Sequence, residues 1–144
     1  MPVRAFLEKI HRTQAPWTIN LLRIALGYIF VKEGAGKIYG WFGGGGIESV
    51  AAYFQGLGII FPRFNAYLVG YTEFLGGLLL ILGLLARPVA FFIGCIMVVA
   101  ILTAHRQGGY HYPMLILFIC IAFLQSGAGR VSIDWLMSGR KGGV

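Results

Sequence analysis

Across residues 67–85 the chain carries a single charged side chain, Glu73, in a run otherwise made of Leu, Ile, Val, Gly, Phe, Tyr and Thr. As one helix this run is long enough to cross a lipid bilayer. A charged group at that depth costs at least a few kcal/mol unless it is paired or neutral. Glu73 therefore marks either a functional site or a helix-packing position. At about 100° per residue, Gly70, Gly76, Gly77 and Gly83 all project within a quarter turn of it. Small residues on one face mark close helix packing, which predicts that Glu73 faces other helices rather than lipid.

The rest of the chain agrees. Hydrophobic residues make up 58% and charged ones 12%, against roughly 25% charged in ordinary soluble proteins. Too little polar surface remains to coat a soluble domain, so the chain reads as a membrane protein. Its 144 residues form a single domain with room for about four crossings. The net charge of +7 does not point to nucleic acid, because the basic residues lie between apolar spans, where they orient the chain and attract anionic lipid. Cys95 and Cys120 sit in apolar runs without a CxxC pattern, which excludes a local dithiol or zinc site. Each reads as a small apolar residue, and an approach between them stays open. The first apolar run, about 20 residues without a small-residue cleavage site, is not read as a cleavable signal peptide.

The predicted fold is all-α, a four-transmembrane-helix bundle with short amphipathic interfacial helices. Residues 1–16 form an amphipathic N-terminal segment, with Phe6, Leu7 and Ile10 on one face of a surface helix over 4–12. Spans are predicted at 17–39, 66–86, 88–105 and 112–125. Arg87-Pro88 and Gln107-Gly108-Gly109 make the tight connections. An outer loop over 40–65 begins with the glycine run 43–46, then a short helix over 47–57 that turns Val50, Tyr53, Phe54 and Leu57 to the membrane. The tail, 126–144, breaks at Ser126-Gly127-Ala128-Gly129 and returns to the surface near Trp135. Arg4, Lys9, Arg12, Arg87, Arg130, Arg140 and Lys141 fall on one side, and Lys37, Arg63 and Arg106 on the other. The positive-inside rule then puts both termini in the cytoplasm.

This topology sorts the ionisable groups by depth. Glu73, Glu33, Lys37, His105 and His111 converge on the outer half, with Tyr110 and Tyr112 at the adjoining helix end. Glu33 and Lys37 form an i,i+4 pair, which by itself is a local ion pair. Arg23 shares a helical face with Lys37 but lies in the inner half, within reach of cytoplasmic headgroups. His105 reads either as a helix-end residue bonding terminal carbonyls or as a proton-exchanging group. The pattern favours Glu73, His105 and Lys37 as catalytic residues. Glu33, Arg23, His111, Tyr110 and Tyr112 are candidate ligand contacts, and no metal site is expected.

Several strings carry a family resemblance. LRIALGYIFVKEGAGK over 22–37, EFLGGLLLILGLLAR over 73–87, GGYHY over 108–112, GAGR over 127–130 and SID over 132–134 together resemble the DoxX family. The resemblance implies a small four-helix integral membrane protein of a bacterial inner (plasma) membrane, tied to quinone-linked redox reactions or to assembly of other membrane proteins. It carries over Arg23, Lys37, Glu73, Arg87, Arg130 and Asp134, of which Arg87, Arg130 and Asp134 are taken as structural. His111 stands where the family often has an acidic residue, and Ala128 where it often has proline.

The leading expectation is a redox-associated protein that binds a quinone or similar lipophilic molecule in the outer half of the bundle. Glu73 and His105 would supply protons and Lys37 would polarise a carbonyl oxygen. With no CxxC or Rossmann glycine fingerprint, electrons would come from a partner subunit. The alternative is a non-enzymatic scaffold or chaperone for membrane proteins, and a third reading is a small transporter. Expected partners are membrane lipids, a redox subunit or other membrane protein, and further copies of the chain.

Overall fold

The computed structural model describes residues 16–105, 108–129 and 132–137. The segment predicted over 4–12, and Arg106 and Arg130, lie outside the described residues. Helix α1 runs Pro16–Tyr39, followed by a 3-10 turn at Trp41–Gly43. Helices α2 (Gly46–Gly56), α3 (Pro62–Leu82), α4 (Ala86–Leu102), α5 (His111–Ser126) and α6 (Ile133–Met137) complete the order, and no strand occurs among the described residues.

The helix ends follow local chemistry. Gly40 leaves α1 in the left-handed conformation, φ 72°, and its N–H donates back to the Gly36 carbonyl at 3.1 Å. Gly83 ends α3 in the same way, φ 69°. The Leu84 N–H then reaches the Leu79 carbonyl at 2.9 Å, the pairing that closes a helix at a left-handed glycine. This corrects two expectations. The second span stops at Leu82 rather than 86, and the turn falls at Gly83, Leu84 and Leu85 instead of Arg87-Pro88. Proline belongs in the first turn of a helix, where its missing N–H is not needed, so Arg87 and Pro88 open α4. That helix ends at Leu102, three residues before the predicted limit.

One apolar cluster draws on α1 (Leu26, Phe30), α3 (Leu80), α4 (Val89, Ala90, Ile93, Met97) and α5 (Ile116, Cys120, Phe123). A smaller one joins Ile47 and Ala51 of α2 to Ala66 of α3, with Ile38, Val50 and Phe54 packed against it. Val50 and Phe54 thus turn toward α1 and α3, not outward as predicted, while Tyr53 is exposed. Cys120 is buried, whereas Cys95 is exposed, and both are free thiols. The buried face of α4 holds Val89, Ala90, Ile93, Gly94 and Met97, and Cys95 falls outside it.

The outer surfaces are also apolar. Phe91, Phe92, Val98, Val99 and Leu102 of α4, and Leu115 and Phe118 of α5, are exposed. By length and composition α3 meets the requirement for a membrane-crossing helix, while α4 and α5 are apolar but shorter, at 17 and 16 residues. The 24 residues of α1 include Arg23, Lys32, Glu33 and Lys37.

Candidate active site

Glycine brings α1 and α3 into backbone contact. A Cβ on Gly27 would stand 2.7 Å from the Gly77 carbonyl oxygen, and one on Gly77 would stand 2.6 Å from the Val31 nitrogen. A Cβ on Gly34 would lie 2.7 Å from Phe74 Cα. Rising numbers on α1 meet falling numbers on α3, so the two helices run antiparallel. Gly70 and Gly77 of α3 are buried on this seam with Glu73, as the glycine pattern predicts, while Gly76 is buried toward Val89 and Ile93 of α4.

At the end of the seam nearer Tyr39, Lys37 Nζ donates a hydrogen bond to Glu73 Oε2 and lies 3.7 Å from Glu33 Oε2. The three side chains form a row of graded depth, with exposures of 4% for Glu73, 26% for Lys37 and 52% for Glu33. The outer carboxylate can meet solvent; the inner one meets the lysine. Tyr112, at the start of α5, lies within the electrostatic field of both carboxylates. Tyr112 is itself exposed, as are Tyr110 and His111, whose rings lie 4.4 Å apart between centroids.

The glycine run that follows α1 closes over this row. A Cβ on Gly44 would come within 2.5 Å of the Gly36 carbonyl carbon, so the loop lies directly on α1 beside Lys37. Phe42 sits in the left-handed region, φ 56°, which costs a non-glycine residue about 1–2 kcal/mol. Beneath the loop is a cavity of about 200 Å³ lined by Lys32, Glu33, Lys37, Trp41, Phe42 and Val50 together with Gly36 and the loop glycines. Nothing in the loop's own sequence places it over this cavity. The signal present was Gly36, placed on the helix to receive a glycine-only neighbour.

Other predicted residues fall elsewhere. His105 sets Nδ1 3.2 Å from the Ala100 carbonyl oxygen, the helix-end geometry, and no hydrogen bond joins it to Glu73 or Lys37 among the described residues. Arg23 does not extend to headgroups. It is 2% exposed at the opposite end of α1, packed so closely on Gly83 that a Cβ there would strike its guanidinium.

Around Arg23 gather Asp134, within electrostatic range, and the buried Asn20 and Ser132. Asp134 receives the Leu85 N–H at 2.9 Å and the Ala86 N–H at 3.2 Å, and so caps α4 from a distant part of the chain. Its own N–H donates to the Gly83 carbonyl at 3.0 Å. Arg87 lies over Gly127, whose Cβ would stand 3.5 Å from Nε. Asn20 was not singled out from sequence, although it stands one turn before Arg23 on the same buried face.

No solved structure matches the chain. The chain is similar to CatD of Bacillus subtilis (strain 168), provisionally named an oxidoreductase, with 29% identity over 128 residues, 85% of this chain and 90% of that one. The DoxX family model matches residues 18–106, more than half of the chain, a stretch that holds the whole Glu33–Lys37–Glu73 row, Arg23 and the glycine loop. The protein belongs to the DoxX family.

Proposed function

We propose that the protein is a multi-pass protein of a bacterial inner membrane, a bundle of four crossing helices with both termini cytoplasmic, that binds a quinone or similar lipophilic molecule at Lys37 and takes part in its redox chemistry. The observation that carries this reading is the Lys37 ammonium held between a buried and an exposed carboxylate at the floor of the loop cavity. The apolar exterior of α4 and α5 supports immersion in lipid, since a helix apolar on all sides needs an apolar solvent. The redox assignment draws on the name given to CatD.

Quinone reduction takes two electrons and two protons. Lys37 would donate a hydrogen bond to a ring carbonyl, withdrawing electron density as charge develops there. Glu73, Glu33 and Tyr112 would exchange the protons. At about 200 Å³ the cavity falls below the ~300–1,000 Å³ of sites that enclose whole drug-sized ligands, which suits one ring with its tail outside. His105, turned to its own helix, has a helix-end role in this reading. The electrons come from a partner subunit.

The test is to purify the protein in mild detergent, extract bound lipids for quinone, and measure quinone turnover in membranes with and without it. Bound quinone that is lost in Lys37→Met and Glu73→Gln supports the reading. Absence of quinone together with unchanged turnover overturns it.

A second reading, a scaffold for other membrane proteins, is favoured by the groove of about 440 Å³ between α3 and α4, walled by Phe64, Tyr67, Tyr71, Leu75 and Phe92 with Gly76 among its lining. Photo-crosslinking from position 71 to another polypeptide, without retained quinone, would select it.

A further inference from the structure

The two ends of the helix assembly are closed to different extents. At the loop end, Glu33 and Lys37 line an open cavity and lead inward to Glu73. At the other end, some 21 Å away along α1 at ~1.5 Å per residue, Arg23, Asn20 and Ser132 are buried, with residues 127–129 and 132–134 packed at that end. Gly129 lies against Asn20, with 2.6 Å from its Cβ position to Oδ1. Ala128 joins the apolar core, and Asp134 locks the segment to α4 through two backbone N–H groups.

The space between the two ends is filled. Leu26 and Phe30 of α1, Leu80 of α3, Val89, Ile93 and Met97 of α4 and Phe123 of α5 are all buried there, and Gly27 and Gly77 bring two backbones together. Apart from the weakly polar sulfurs of Met97 and Cys120, none of these cluster side chains can bond to water. Interiors packed in this way leave few voids that hold a water molecule.

From this we infer that the Glu33–Lys37–Glu73 row is open to water and polar solutes from one membrane face only, that of the 40–46 loop, while the Arg23–Asp134 end is a permanent plug. The inference rests on the membrane-crossing part of the proposed function and is independent of the ligand. Protons follow the same route. Lys37 passes one proton to Glu73 and takes one from Glu33, which is replenished from the loop side, so Lys37 ends as it began. Acid–base chemistry at Glu73 therefore draws on a single compartment, and the fold does not carry protons across.

The test uses the full chain with Cys95→Ser and Cys120→Ala, into which Glu33→Cys, Lys37→Cys or Leu136→Cys is introduced singly. Sealed membrane vesicles of each orientation are treated with a membrane-impermeant maleimide. The expected result is labelling of positions 33 and 37 from one face and of position 136 from the other. Because Lys37→Cys removes the partner of Glu73 and can fail to fold, Glu33→Cys carries the test alone in that case. Labelling of position 33 or 37 from the face that labels 136 overturns one-sided access. Labelling of 33 and 136 from the same face alone overturns the membrane-crossing reading and this inference with it. A protein that retains no quinone but labels as expected fails the ligand assignment and leaves the one-sided site standing.

Discussion

Lys37 serves two carboxylates of unequal need. Glu33 reaches solvent and, as an i,i+4 partner, gains only a few tenths of a kcal/mol; Glu33→Gln should therefore shift stability by less than about 0.5 kcal/mol. Glu73 is buried and Lys37 is its ion-pair partner. Removing one member of a buried pair costs about 3–5 kcal/mol, while replacing both with apolar residues of similar volume is often neutral. Lys37→Met should thus destabilise strongly and Lys37→Met/Glu73→Met should recover most of the loss, read as unfolding midpoints in mixed micelles. A double variant no more stable than the single would show that the pair is not what holds the site. At this scale the sequence was informative where a residue broke a pattern. One carboxylate in an apolar run declared itself, and depth placed Lys37 in the same half of the bundle, but the sequence paired that lysine with Glu33 and did not show its bond to Glu73. The loop that roofs the pair did not show, because a run of glycines has no periodicity and its place is set by contact with Gly36.

Between α1 and α3 the unit of design is the missing side chain. Gly34 faces Phe74 with no room for a methyl group, whereas Gly56 at the end of α2 has nothing within 4 Å. Gly34→Ala should force the helices apart and cost about 1–3 kcal/mol. Gly56→Ala should be neutral or stabilise by up to about 1 kcal/mol through helix propensity and reduced chain entropy. If both changes act alike in thermal unfolding, close packing at the seam is not the cause. The cap on α4 gives a second comparison. Asp134→Ala removes an acceptor of two backbone N–H groups and should cost about 2 kcal/mol, with Asp134→Asn milder because one carbonyl acceptor remains. Helix existence was readable from apolar runs, and boundaries less so. The Arg-Pro dipeptide looked like a turn, yet Gly83 had already ended the helix, and proline fits a first turn as well as a connection.

Taken as a whole, the molecule has an apolar interior wrapped in apolar surface, with polar groups gathered at its two ends. Phe118 is exposed on α5. If lipid surrounds it, Phe118→Arg should lower insertion by roughly 2.5–3.5 kcal/mol on biological insertion scales, seen as less protein in carbonate-washed membranes. An unchanged membrane fraction would argue against lipid at that face. Overall α content was legible from composition and periodicity, but the division of labour between the ends was not. Arg23 looked like a residue reaching for headgroups because sequence gives depth along a helix, not which neighbour covers it. Asp134 lies 49 positions after Leu85, which bears on how the chain is assembled during synthesis. When α3 and α4 first leave the ribosome, the amide groups at the start of α4 lack the carboxylate that will bind them, and Arg23 lacks its counter-charge. The hairpin stays provisional until Asp134 is translated, so a later-made carboxylate acts as the latch that commits the earlier helices.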